Sequence, residues 1–195
     1  MYIIGLNAFH GDSSACLLKD GHLIGAAEEE RFRRIKHWAG FPSEAIKWCL
    51  FEGGINLEDV EHIALNQNAK ANLGRKIMFT FNKCPSLKML IDRFQNKRKR
   101  LDIKDQLLKA FPNSKFNGSI HSVEHHTAHL SSAFHTSHFS DAVVVSIDGF
   151  GDFASSAWGV GQGIKIDLED RVYFPHSLGI FYQALTQFIG FHNYG

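Results

Sequence analysis

Short apolar runs punctuated by polar turns open the chain and predict strands before helices. Tyr2 to Leu6, Ser14 to Leu18 and His22 to Ala27 read as three strands, with Lys19-Asp20-Gly21 as the hairpin turn between the last two. The period then lengthens. In PSEAIKWCLFEGG the apolar Ile46, Cys49 and Leu50 recur at helical spacing, with Pro42 near the first turn, Ser43 as the cap and Gly53-Gly54 as the stop. VEHIALNQ returns to strand. Residues 70–112 read as mostly helical, with Leu87, Leu90, Ile91 and Phe94 on one face. SIHSVEHH is a short strand and HHTAHLSSAFHTS a helix. DAVVVSIDGFGDFASSAWGVGQGIKIDLE gives a strand, a glycine-rich turn and two further strands, and LGIFYQALTQFIGF an amphipathic helix.

Two stretches share one pattern. IIGLNAFHGDSSACLLKDGHLIGA and VVSIDGFGDFASSAWGVGQGIKI each run from an apolar strand through a glycine-containing turn with Phe and Asp to Ser-Ala and another strand. Each copy precedes a further strand and a helix, which predicts a duplicated βββα unit. Such duplicated units, laying backbone N–H groups and a small side chain against phosphates, build the actin-like, sugar-kinase-like and heat-shock-ATPase-like α/β folds. In that fold the two turns face one another across a nucleotide cleft. Here Asn7 to Ser14 is the first phosphate turn, with Asn7 and Ser13 as its contacts. Asp148 to Ser156 is the second, with Gly149 and Gly151. The expected organisation is a first subdomain over 1–140, carrying a helical insertion at about 70–112, and the start of a second over 141–195, so that the second half is incomplete.

Composition excludes several classes. Hydrophobic residues at 44% and charged residues at 21% describe a globular chain rather than a disordered one. A net charge of +1 gives no general attraction to polyanions, yet it conceals an asymmetry. Lys70 to Pro112 holds twelve Lys and Arg against three Asp, leaving −8 for the remainder. Cys16, Cys49 and Cys84 are odd in number, widely spaced and without a CxxC pair, so neither a disulfide framework nor a cysteine zinc site is expected, and the reading is a reducing cytoplasm. No window approaches the ~20 apolar residues of a membrane span, and no leader sequence is recognised. A membrane partner is not expected.

The histidines are the chemical signal. Six of twelve fall between His121 and His138. In a helical EHHTAHL, His125 and His129 share a face with Cβ atoms within roughly 6 Å, a spacing that can grip one metal ion. His126 points elsewhere, and His121, His135 and His138 are taken as non-ligands. Two imidazoles leave an ion short of ligands. Asp148, at the end of AVVVSID and just before Gly149, should emerge at the carboxyl edge of a buried strand and supply the third. A two-histidine, one-carboxylate set suits iron(II), manganese or zinc alike.

These residues carry a resemblance. IIGLNAFHGDSSACLLKDGHLIGAAEEERFRRIKH, HHTAHLSSAF and VVVSIDGFGD, in that order, closely resemble the amino-terminal part of the O-carbamoyltransferases of nodulation-factor and antibiotic biosynthesis. The resemblance implies an actin-like domain that passes a carbamoyl group to a hydroxyl of a small-molecule acceptor. It implies a second, carboxy-terminal domain, outside this sequence, that forms carbamoyl-adenylate from carbamoyl phosphate and ATP. It also implies an iron-type metal at His125, His129 and Asp148, with a further aspartate and most of the adenosine pocket downstream. This sequence is therefore expected to be a fragment, inactive alone. On the first turn His10 is the candidate to contact the carbamoyl group or take the hydroxyl proton, oriented by Asp12. Lys36 and His37 are candidates for the nucleotide phosphates or the acceptor. Glu28, Glu29 and Glu30 are left between a pairing with Arg31 and the cleft.

Two rival readings stand beside this one. The related tRNA threonylcarbamoyl-transfer enzymes share the HxxxH pair and the fold, although AAEEERFRRIKH looks like the small-molecule carbamoyltransferases. A non-catalytic nucleic-acid or partner-binding module would rest on KRKR at Lys97 to Arg100. Nucleic acid is not the expected partner, since such a run is most simply a solvated helix face.

Overall fold

The computed structural model describes residues 1–83 and 103–191. The expected face of Leu87, Leu90, Ile91 and Phe94, Cys84, and the basic run Lys97 to Arg100 lie outside the described residues. The chain divides into two compact units, Met1–Asn66 with Pro85–Ser122, and Gln67–Cys84 with Val123–Gly195. The division falls at Ser122/Val123, whereas the sequence pattern suggested 140.

In the first unit β1 (Tyr2–Asn7), β2 (Ser14–Lys19) and β3 (His22–Glu28) form an antiparallel meander, as the alternation predicts. β4 (His62–Leu65) and β5 (Ser119–Ser122) join in parallel, giving a mixed five-stranded sheet of order β3-β2-β1-β4-β5. Strand period 2 sends alternate residues to one face. Ile4, Leu6, Ala15, Leu17, Ile63 and Leu65 are accordingly buried. Helix α2 (Ser43–Gly53) meets them with Ala45, Ile46, Cys49 and Leu50, and a later helix, α4 (Ile103–Ala110), with Ile103 and Leu107. Burial also pushes the Cys49 thiol up to about 11, so it is a packing residue and not a nucleophile at neutral pH.

One expected detail is different and instructive. Ser43 does not cap α2: it is the helix's first residue, and Pro42 occupies the cap position with no side-chain hydrogen bond. The orphan N–H groups of the first turn go to Glu29, which lies fully buried just past β3, before the single-turn helix α1 (Glu30–Arg33). Its carboxylate accepts from Glu44 N at 2.9 Å and Ala45 N at 2.8 Å, and Arg33 Nε donates to it at 2.7 Å. Of the three glutamates left ambiguous by sequence, Glu29 thus ties the end of the meander to the helix that covers it. Glu28 pairs loosely with Arg31 at 3.8 Å, and Glu30 with Lys36 at 3.0 Å.

The second unit is built on β6 (Asp141–Gly151), β7 (Ala154–Gln162) and β8 (Lys165–Tyr173), an antiparallel sheet in sequence order. Helix α5 (His125–Phe134) covers one face of it, burying Leu130 and Phe134 against Val144 and Ala157. Helix α3 (Leu73–Lys83) belongs to this unit, through Phe79 against Phe153 and Phe174, while α4 (Ile103–Ala110) belongs to the first. The basic stretch read as one insertion is therefore shared between two cores. Helix α6 (Leu178–Phe188) begins at Ser177, whose hydroxyl accepts from Ile180 N at 3.1 Å.

Glu29 should be worth more than its size suggests, because hydrogen bonds to a buried charge are the strong ones. Glu29→Ala is expected to lower unfolding free energy by ~2–3 kcal/mol, and Glu29→Gln by less, since the amide keeps one acceptor oxygen. Urea unfolding with an unchanged slope and a lowered midpoint is the expected record. A wild-type midpoint for Glu29→Ala would show that water serves α2 as well.

Candidate metal centre

The second unit brings His125, His129 and Asp148 together. His125 Nε2 lies 2.7 Å from Asp148 Oδ2 and 3.0 Å from His129 Nε2, and the third edge, His129 Nε2 to Asp148 Oδ2, is 3.5 Å. The helix supplies the two imidazoles one turn apart, and β6 supplies the carboxylate near its carboxyl end. Among the described residues this is the group of three His, Cys, Asp or Glu side chains whose ligand atoms converge, all within 4.8 Å of one another.

The set fits a metal ion on donor chemistry and on spacing. Ions bonded to nitrogen and oxygen at ~2.0–2.2 Å hold neighbouring donors about 3 Å apart, and the observed edges bracket that value. Hydrogen bonding with His125, then with His129, holds the Asp148 carboxyl well below its ordinary range, so it is an anion at neutral pH. The His125 side chain is 11% exposed, against 48% for His129 and 40% for Asp148. The cluster is thus closed on the His125 side and open on the His129 side.

Several local devices hold it. The ring of His125 lies directly against the α-carbon of Gly151, where any Cβ would collide with it. Gly151 therefore makes room for the His125 ring. Gly149 donates its N–H to Asp148 Oδ1 at 2.6 Å, and its carbonyl accepts from the Ser177 hydroxyl at 2.8 Å, so its polar groups fix the aspartate and the start of α6. At the cap of α5, burial pushes the Glu124 carboxyl up, but hydrogen bonds from the Thr127 N–H and hydroxyl outweigh it and leave it below its usual value. His126 does point elsewhere, as expected. It is fully buried with Nδ1 2.9 Å from Ser146 Oγ, and burial lowers its pKa.

The first turn is arranged differently from expectation. Ser13 is fully buried; its hydroxyl lies 3.0 Å from His10 O and 2.9 Å from Gly40 O, and accepts from Gly40 N at 3.1 Å. It closes the turn onto the segment that follows α1, and a buried hydroxyl so occupied is not a phosphate contact. Asn7 braces the same turn, donating to Asp12 O at 3.0 Å and accepting from Asn66 at 3.2 Å. Asp12, expected to orient His10, has Oδ1 2.9 Å from His37 Nδ1. Both residues of that pair adopt left-handed backbone, φ 60° and 53°. Asn, Asp and His tolerate that region better than most side chains. Lys36 is 81% exposed and bonded to Glu30. His10 is half-buried on the turn. Outside the cluster, His121 Nε2 meets His62 Nδ1 at 3.0 Å across β4 and β5.

The family model described as "Carbamoyltransferase N-terminus" matches residues 2–194. An uncharacterized protein of Synechocystis sp. is 34% identical over 203 residues, covering 97% of this chain and 32% of that protein. The nodulation protein NolNO of Sinorhizobium fredii is 32% identical over 190 residues, 95% of this chain and 26% of its own length. The chain thus spans about a third or less of the length of these relatives. Among solved structures, YeaZ from Pseudomonas aeruginosa aligns with a TM-score of 0.46 and 15% identity over 87% of this chain and 64% of that one. No helix among the described residues is long and apolar enough to cross a membrane.

Titration separates the buried histidine from the aspartate. The unfolded chain binds a proton at His126 near pH ~6.5, and the fold only at lower pH, so this contribution is complete above ~6.5 and drains as pH falls. The depressed Asp148 carboxyl contributes above its ordinary value of ~3.9 and loses its share only below that. Urea unfolding between pH 7.5 and 5 should therefore show stability declining toward acid, with a shallower decline in His126→Gln. Equal slopes would place the proton uptake elsewhere.

Proposed function

The chain belongs to the carbamoyltransferase N-terminus family, and from that membership we propose that it is the actin-like amino-terminal part of an O-carbamoyltransferase. The reaction is transfer of a carbamoyl group from carbamoyl-adenylate to a hydroxyl of a small-molecule acceptor. Carbamoyl-adenylate itself is made from carbamoyl phosphate and ATP in a further domain of the kind the longer relatives have room for. The meanders β1-β2-β3 and β6-β7-β8 support the duplicated βββα reading. The observation that carries the proposal is the convergence of His125 Nε2, His129 Nε2 and Asp148 Oδ2 within 4.8 Å in a member of this family.

Those three residues would hold the divalent ion, iron(II) in preference to manganese or zinc by the family resemblance. Bound there, such an ion supplies positive charge for the phosphate from which the carbamoyl group departs. The protein's own residues do the rest. As the acceptor oxygen bonds to the carbamoyl carbon and the carbon–oxygen bond to phosphate breaks, AMP leaves and the hydroxyl proton needs a base. His10, on the first turn, is the candidate to receive it, and the Asp12–His37 pair joins that turn to the segment after α1. Asp12 Oδ1 lies 2.9 Å from His37 Nδ1 and so orients that ring. Asn7 and Ser13 keep that turn in shape, and Lys36 lies on the neighbouring surface for an anionic group.

The test is metal content after anaerobic purification, for the wild-type chain and His125→Ala/His129→Ala prepared side by side. About one equivalent of iron, manganese or zinc per wild-type chain, falling to near zero in the double variant, is expected of a site with these ligands. Metal content unaffected by the double substitution would contradict the proposal.

A further inference from the structure

Asp152 stands at the turn between β6 and β7, and neither the sequence pattern nor the donor set of the metal cluster gives it a role. Its backbone is unusual. Asp152 and Phe153 both adopt left-handed conformations, φ 48° and 76°, two successive non-glycine residues in a region L side chains avoid. Strain of that kind persists only where the surroundings enforce it.

What the conformation achieves is visible in the hydrogen bonds. The turn brings the Asp152 carboxylate back to the start of α5, where Oδ2 accepts from His125 N at 3.0 Å. That N–H is one of the orphan donors of the first helical turn, and Glu124 has taken another, from Thr127. The same Oδ2 accepts from Asn68 N at 2.8 Å, and the Asp152 carbonyl accepts from Asn72 Nδ2 at 2.9 Å. One residue thus holds the backbone of His125 and both ends of the stretch 68–72. Asp152 is not among the converging ligand atoms.

His125 is fixed from three sides by one strand end: its ring by Asp148 and Gly151, its backbone by Asp152. A ligand ring on an unfixed helix start would swing with every fraying of the first turn. We propose that Asp152 is the positioning residue of the metal site, setting His125 against Asp148, and that the same residue, through its carboxylate to Asn68, couples the stretch 68–72 to occupancy of that site. This rests on the reading of His125, His129 and Asp148 as metal ligands. Because coupling is reciprocal, an ion that steadies His125 also steadies the segment sharing its anchor.

The probe is zinc alone, which needs no exclusion of air. Competition with a chromophoric chelator gives zinc affinity for the wild-type chain, Asp152→Asn and Asp152→Ala, each well below its own unfolding midpoint. Amide hydrogen exchange on the same samples, with and without zinc, follows residues 68–72. Asp152→Ala should weaken zinc binding by ~10–100-fold, the usual effect of removing a group that orients a ligand. Asp152→Asn, which keeps an acceptor oxygen and guards against a failure to fold, should weaken it less. Zinc should slow exchange across 68–72 in the wild type and cease to do so in Asp152→Ala. A residue with a merely structural role would lower the unfolding midpoint and leave zinc affinity and the exchange response of the folded protein unchanged; that result would overturn the inference. Failure of the wild type to bind zinc at all would remove the metal reading first, and the inference with it.

Discussion

Helix starts need acceptors, and in both units of this protein a carboxylate from a distant turn provides them. The first N–H groups of a helix have no partner within it, and an acceptor carrying negative charge satisfies them while complementing the helix dipole. Glu29, at the end of β3, receives the start of α2. Asp152, in the turn after β6, receives the start of α5. Each contact joins a strand end to the helix that covers the sheet, so it orients the helix as well as capping it. In the first unit this sets Ala45, Ile46, Cys49 and Leu50 against the sheet; in the second it holds the backbone of His125.

The candidate metal centre lies beside the second contact. Five residues of one strand end, Asp148 to Asp152, contain a carboxylate among the donors, a glycine that admits the His125 ring and a carboxylate that holds its backbone. The Ser177 hydroxyl clamps the same strand end from α6. The result is an ionised aspartate beside two imidazoles, with His125 the most buried of the three side chains and His129 the most exposed.

Local pattern made much of this legible. The meander β1-β2-β3 follows from three short apolar runs and the Asp20-Gly21 turn, and α2 ends at Gly53 as its double glycine suggests. The His125–His129 spacing and Asp148 before a glycine were also readable, because each depends on the period of a single element. What sequence did not disclose depends on residues far apart in the chain. Ser43 reads as a cap in the sequence, yet it is the first residue of α2, and Glu29 accepts from that helix start. Ser13 looked like a phosphate contact because small hydroxyl residues line such turns, but Gly40 closes over it. Asp12 was assigned to the histidine two residues away and instead meets His37, 25 residues on. Asp152 had a weak signal, an aspartate between glycine and phenylalanine in a turn, and no periodicity could indicate which N–H groups it would find.

The central claim is that two imidazoles and one carboxylate of this chain share a single ion, and X-ray absorption at the metal edge of the anaerobically loaded chain addresses it most directly. The account predicts a first shell of nitrogen and oxygen at ~2.0–2.2 Å with the outer-shell scattering of two imidazole rings, reduced to one in His129→Ala. A shell of oxygen alone, without imidazole scattering, or one containing sulfur at ~2.3 Å, would contradict it.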